Sequence, residues 1–125
     1  MRKTMLGLAG ILVLAALTVT AQNQQSFTGE IMDSACAAQG GSHATMLKGH
    51  GLAGKENDAA ARKSCTMDCA KAGADMVLYD ASTKTSYQLD DAKKAEAYAG
   101  QAVKIGGTLD AKTKTIHVQS ITKAS

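Results

Sequence analysis

All three cysteines of this 125-residue chain, Cys36, Cys65 and Cys69, lie between Asp33 and Gly73, with two of its three histidines, His43 and His50. Gly40-Gly41, Gly49, Gly51 and Gly54 interrupt that stretch, so it cannot run as one regular element. On either side the pattern is of short strands and turns. The fold must therefore carry a cysteine-bearing insert, at about residues 34–74, as an excursion from a β scaffold. Any chemistry particular to the chain is expected there.

The flanking pattern gives the scaffold. Ser26 to Asp33 alternates, with Phe27, Gly29 and Ile31 on one face and Thr28, Glu30 and Met32 on the other, which fits a half-buried strand. Met76 to Asp80 and Thr85 to Leu89 read as a hairpin around Ala81 to Lys84. Asp90 is expected to cap a short helix over Asp91 to Ala99, stopped by Gly100. Ala102 to Leu109 and Thr115 to Ile121 read as the last two strands. Val103, Ile105, Leu109, Ile116 and Val118 point inward, and Gly106-Gly107 suggests a bend or bulge. His117 is expected to face outward or line the rim. No internal repeat is evident.

Within the insert, Ala59 to Ala72 is the best helix. Asp58 can cap its N-terminus, alanines favour it, and Gly73 can end it. Cys65 and Cys69, four apart, then lie one turn apart on one face. Ser42 could cap a short turn reaching Lys48, bringing His43, Met46 and His50 toward one side.

The predicted class is mainly β with a helical insert (α+β). Five strands with a helix between the third and fourth is the order of the OB-fold, a small partly open barrel. The insert would be the connection between strands 1 and 2, near which such folds commonly bind ligands. The set Gly29-Glu30-Ile31-Met32-Asp33-Ser34-Ala35-Cys36, then His43, then Cys65-x-x-x-Cys69, then Gly73-Ala74, then the hairpin Ala99 to Ile121, resembles a family of small secreted bacterial proteins of unknown function. The resemblance implies the OB-like fold and carries no established activity. Gly40 to Asn57 is longer than that family's pattern, which leaves Met46 and His50 without an implied role.

Arg2 and Lys3, then the apolar Met5 to Val19, then the small residues Val19-Thr20-Ala21, are the parts of a secretory signal peptide cleaved after Ala21. The apolar run falls short of the roughly 20 residues of a membrane span. The expected product is a secreted or periplasmic domain over residues 22–125, with no membrane attachment. Losing Arg2 and Lys3 lowers the formal charge of +3 by two. With no basic block, one Phe and no Trp, a nucleic-acid partner is not expected. A small ligand, a metal ion or another protein remains open as partner. No catalytic constellation is visible: there is no Ser-His-Asp order, phosphate loop or convergent carboxylate set.

Two readings of the insert compete. In the first, Cys36, Cys65 and Cys69 supply one disulfide and one spare thiol, and the chain is a binding or structural module stapled by that crosslink. Closing a loop of about 30 residues from Cys36 contributes about 3–4 kcal/mol on a chain-entropy account. In the second, Cys36, His43, Cys65 and Cys69 form a Cys₃His set for zinc or copper. Cys65-x-x-x-Cys69 resembles the copper sites of cytochrome-oxidase assembly and electron-transfer proteins. Gly73 stands where those carry a histidine, so a dinuclear centre of that type is not expected. Asp33 reads as a cap for the insert and Met67 as packing.

Overall fold

The computed structural model describes residues 23–125. The expected leader and its cleavage after Ala21 lie outside the described residues. The elements, in order, are β1 (Gln25–Asp33), α1 (Ser34–Ala38), α2 (Ala44–Gly49), α3 (Ala59–Lys71), β2 (Met76–Asp80), β3 (Thr85–Leu89), α4 (Ala92–Glu96), β4 (Ala102–Asp110) and β5 (Thr115–Lys123). The fold is mixed α+β, with a five-stranded sheet that closes in a ring in the order β1-β2-β3-β5-β4. Among the described residues no helix is long and apolar enough to cross a membrane.

Closure depends on β1 serving two neighbours. Its first half, Gln25 to Glu30, pairs antiparallel with Gly107 to Ala102 of β4. Its second half, Glu30 to Asp33, pairs antiparallel with Tyr79 to Met76 of β2. The handover falls at Glu30, which pairs with both Ala102 and Tyr79; at Gly29 beside it a Cβ would run into the Tyr79 carbonyl, so only glycine lets the two backbones approach. A parallel contact of β3 with β5, Gln88 and Leu89 against Thr115 and Ile116, completes the ring. The β4–β5 register shifts between Gly106 and Gly107, which is the expected bulge.

Both faces of β1 and β2 are buried where they pair, and this creates two cores. Ile31, Met76 and Leu78 point into the ring with Leu89, Val103, Ile105 and Ile116. Their neighbours in sequence, Met32, Val77 and Tyr79, point outward and are covered by the insert through Cys36, Leu47, Ala61 and Cys65. A half-buried strand with one solvated face is therefore the wrong description of the end of β1. Ala95 and Ala99 plug the ring from the α4 side, and Tyr98 donates to the Ile121 carbonyl at 3.2 Å.

Local differences from the sequence reading have plain causes. Asp91, not Asp90, caps α4 by accepting from the Lys94 N–H at 3.0 Å. Asp90 is committed elsewhere: it accepts from the Val118 N–H at 2.8 Å and pairs with exposed His117 at 3.1 Å. Asp33 does cap the insert, accepting from the Cys36 N–H at 2.8 Å and starting the unforeseen α1. The helix α2 begins at Ala44, with His43 rather than Ser42 at its cap position. The β2–β3 and β4–β5 turns, Asp80-Ala-Ser-Thr-Lys84-Thr and Asp110-Ala-Lys-Thr-Lys114-Thr, are the same device used twice. In each an aspartate accepts from the N–H two residues on, and a lysine takes φ +52°.

Candidate metal centre in the insert

The insert is positioned by the strand it leaves and the strand it rejoins. Asp33 ends β1 and turns the chain into α1, which puts Cys36 fully inside. At the other end Asp58 accepts from the Ala61 N–H at 2.8 Å and starts α3, on whose inner face Ala61, Cys65 and Cys69 are buried. Gly73, at φ +106°, ends α3 and feeds β2. The two ends are tied where Ser34 N–H donates to the Asp75 carbonyl and Asp75 N–H to Ser34 Oγ, at 2.8 and 3.1 Å. Leu47, fully buried, anchors α2 between them. Cys36 and Cys65 thereby meet over the outer face of β1 and β2 despite their separation in sequence.

Cys36 Sγ, Cys65 Sγ and one ring nitrogen of His43 all lie within 4.8 Å of one another, and all three residues are buried. His43 Nε2 is engaged by Glu30 Oε1 at 2.7 Å. A carboxylate accepts, so Nε2 donates, and a neutral ring keeps its lone pair on Nδ1. That Nδ1 is buried and has no hydrogen-bond partner among the described residues. A carboxylate holding one nitrogen of a histidine whose ring lies beside thiols is the arrangement that orients a metal-ligating imidazole. Arg62 steadies it: its Nε lies 3.7 Å from Glu30 and donates to the Gly100 carbonyl at 3.1 Å, while Nη1 donates to the Glu56 carbonyl at 3.1 Å. It therefore joins the insert to the ring.

The four-residue set expected from the sequence is not gathered as one site. Cys69 falls in a second group, with Cys65 Sγ and a ring nitrogen of His50 within 4.8 Å of one another. His50 is exposed, yet it reaches the thiols. Met67 packs against the ring core, and Met46 against the insert's core, where its sulfur accepts from Gln39 at 3.9 Å. The three cysteines are all free and buried, and no sulfur is bonded to another.

The surroundings disfavour the thiolate form of all three cysteines. Burial pushes all three upward first, and the nearby Asp33 carboxyl pushes them further. Cys69 is raised to about 11 and Cys36 more strongly. A reactive nucleophilic cysteine needs the opposite environment. A metal ion, by contrast, can displace thiol protons and supply the charge that the buried thiolates lack.

No family model matches the chain, and neither any curated protein nor any solved structure is significantly similar to it. The site must be read from its own geometry. A cavity of about 390 Å³ lined by Gln25, Thr108, Asp110 and His117 contains none of these donors. The sequence reading missed Glu30, placed there only by strand alternation. Its signal was available: Glu30 shares the β1 face with Met32, which an insert between β1 and β2 must cover.

Proposed function

We propose that the protein is an exported metal-binding module, and that Cys36, His43 and Cys65 hold a thiophilic ion such as copper(I) or zinc. One observation carries the reading. His43 Nδ1 is buried without a partner, Glu30 holds the opposite nitrogen, and a nitrogen of that ring lies within 4.8 Å of two thiols. A buried polar atom left unsatisfied costs about 1–3 kcal/mol, and a coordinated ion would remove that cost. Soft thiolates with an imidazole suit copper(I) and zinc rather than magnesium or calcium. The scaffold is read as an OB-type barrel, supported by the strand order, the parallel β3–β5 contact and the helix between β3 and β4. In that reading the module belongs with the small secreted bacterial proteins that its Cys, His and CxxxC order resembles.

A crosslinked structural module is the second reading, favoured by the closeness of the Cys36 and Cys65 sulfurs. Metal content and free thiols, measured on protein isolated with its native oxidation state, separate the two. The metal reading expects bound copper or zinc and three reactive thiols after chelation and denaturation. One reactive thiol, no metal and no affinity for added copper(I) or zinc after reduction would sink it.

A further inference from the structure

The cysteines and histidines of the insert fall into two groups that share one atom. The inner group is Cys36, His43 and Cys65, all buried; the outer group is Cys65, Cys69 and exposed His50. Each offers two sulfurs and one imidazole nitrogen. Neither offers the four protein donors of a closed structural zinc site. Copper(I), a closed-shell and strongly thiophilic ion, is satisfied by three such ligands, and a thiolate has lone pairs enough to bridge two of them.

Resting on the metal-binding reading above, we propose that the insert is a two-ion copper(I) centre bridged by the Cys65 thiolate. One ion is enclosed by Cys36 and His43, and the other is exchangeable at Cys69 and His50. Helical spacing makes the bridge feasible, because Cys65 and Cys69 project from one face of α3 and Cys36 Sγ lies within 4.8 Å of Cys65 Sγ. The imidazoles come from the segment preceding α3, His43 and His50, rather than from a histidine following the CxxxC pair. Two zinc ions would each lack the fourth protein ligand of a closed site. Loading displaces the proton of each thiol to solvent and transfers no electron, so the ions must arrive as copper(I).

The two ions differ in access. His50 is exposed, whereas His43 is 5% exposed and Cys36 fully enclosed. The outer ion can be approached by an incoming thiolate or imidazole at His50, while the ligands of the inner one are all buried. The geometry thus fits delivery or receipt of copper(I) through His50, with the inner ion retained.

The test is an anaerobic titration of the reduced full domain with copper(I) against a chromogenic copper(I) chelator, followed by chelator challenge of the loaded protein. Wild type is expected to bind two equivalents and release them in one fast and one slow phase. His50→Ala, an exposed change that leaves the folded core untouched, is expected to lose one equivalent together with the fast phase. Cys65→Ser is expected to lose both. Saturation of the wild type at one equivalent would overturn the two-ion centre and leave the metal-binding reading standing. Two equivalents retained in His50→Ala would overturn the outer assignment. No binding at all would overturn both.

Discussion

Glu30→Ala tests whether His43 is a ligand or only a buried histidine. In the native protein Glu30 Oε1 lies 2.7 Å from His43 Nε2, and the histidine is almost wholly enclosed. Removing the carboxylate has two separable effects. The metal-free protein loses a hydrogen bond to a charged group, worth about 1.5–3 kcal/mol. The 3.7 Å approach of Arg62 adds little, because both partners are partly solvated. Metal binding loses the group that fixes the tautomer and aims Nδ1, which typically weakens affinity about 10–100-fold. That corresponds to about 1.4–2.8 kcal/mol. Urea unfolding of the metal-free protein reads the first effect, and copper(I) competition with a chelator reads the second. Glu30→Gln should fall between, since its amide oxygen still accepts from Nε2–H without the charge. If Glu30→Ala is destabilised as expected but binds copper(I) as tightly as wild type, His43 is a packing residue and the proposed donor set is wrong.

Three further outcomes follow from the same structure. The buried thiols keep their protons to higher pH than they do in the unfolded chain, where the ordinary value is 9.0. The unfolded state therefore releases protons first, and the metal-free protein should lose stability from pH 9 upward, through the Cys69 value of about 11. Urea midpoints across that range should show the slope, and Cys69→Ala should flatten it; an unchanged slope would refute burial as the cause. Asp90, held below the usual carboxylate range by the Val118 N–H and then His117, contributes stability at neutral pH that is lost as the carboxyl protonates in acid. Asp90→Ala should cost about 1 kcal/mol after allowance for its exposure, and the difference from wild type should vanish in acid. Gly29→Ala should destabilise by about 1–3 kcal/mol or more, because its Cβ meets the Tyr79 backbone rather than a yielding side chain. Thermal unfolding within a degree or two of wild type would contradict the close approach.

The strands were legible because their signals are local. Alternation in β1, β4 and β5, the Gly106-Gly107 bulge and the Asp58 and Gly73 ends of α3 each appear within a few residues of sequence. The shared turn Asp-Ala-x-Thr-Lys-Thr was equally local and went unnoticed, because two short copies do not register as a repeat. The site was legible only in its residue types. Which donor joins which depends on the path between Ala38 and Asp58, and glycines there at positive φ, such as Gly41 and Gly51, permit routes that no periodicity encodes. This is why spacing alone leaves His50 without a role and the partners among Cys36, Cys65 and Cys69 open. The double burial of β2 was hidden for another reason. Met-Val-Leu-Tyr is apolar on both faces, which fits a strand between two layers, but an uninterrupted apolar run does not say what covers its second face.

The separation into two cores predicts where a bound ion would act. The ring core is held by continuous backbone pairing around the five strands. The insert's core is smaller and includes Cys36 and Cys65, which lie beside buried His43. In the metal-free protein it relies on Leu47, the Asp33 and Asp58 caps and the Arg62 bridge to Gly100 and Glu56. The insert should therefore open more readily than the ring, as sparsely packed units do. A ligand at about 100 times its dissociation constant stabilises the binding-competent state by about 2.7 kcal/mol. Amide exchange should slow on loading in α1, α2 and α3, but not at those β4 and β5 amides that exchange only through global unfolding by way of an already open insert. Equal slowing throughout, without change in the ratio of insert to ring protection, would mean that the insert and ring open as one unit. The ion would then stabilise the whole domain rather than closing its insert.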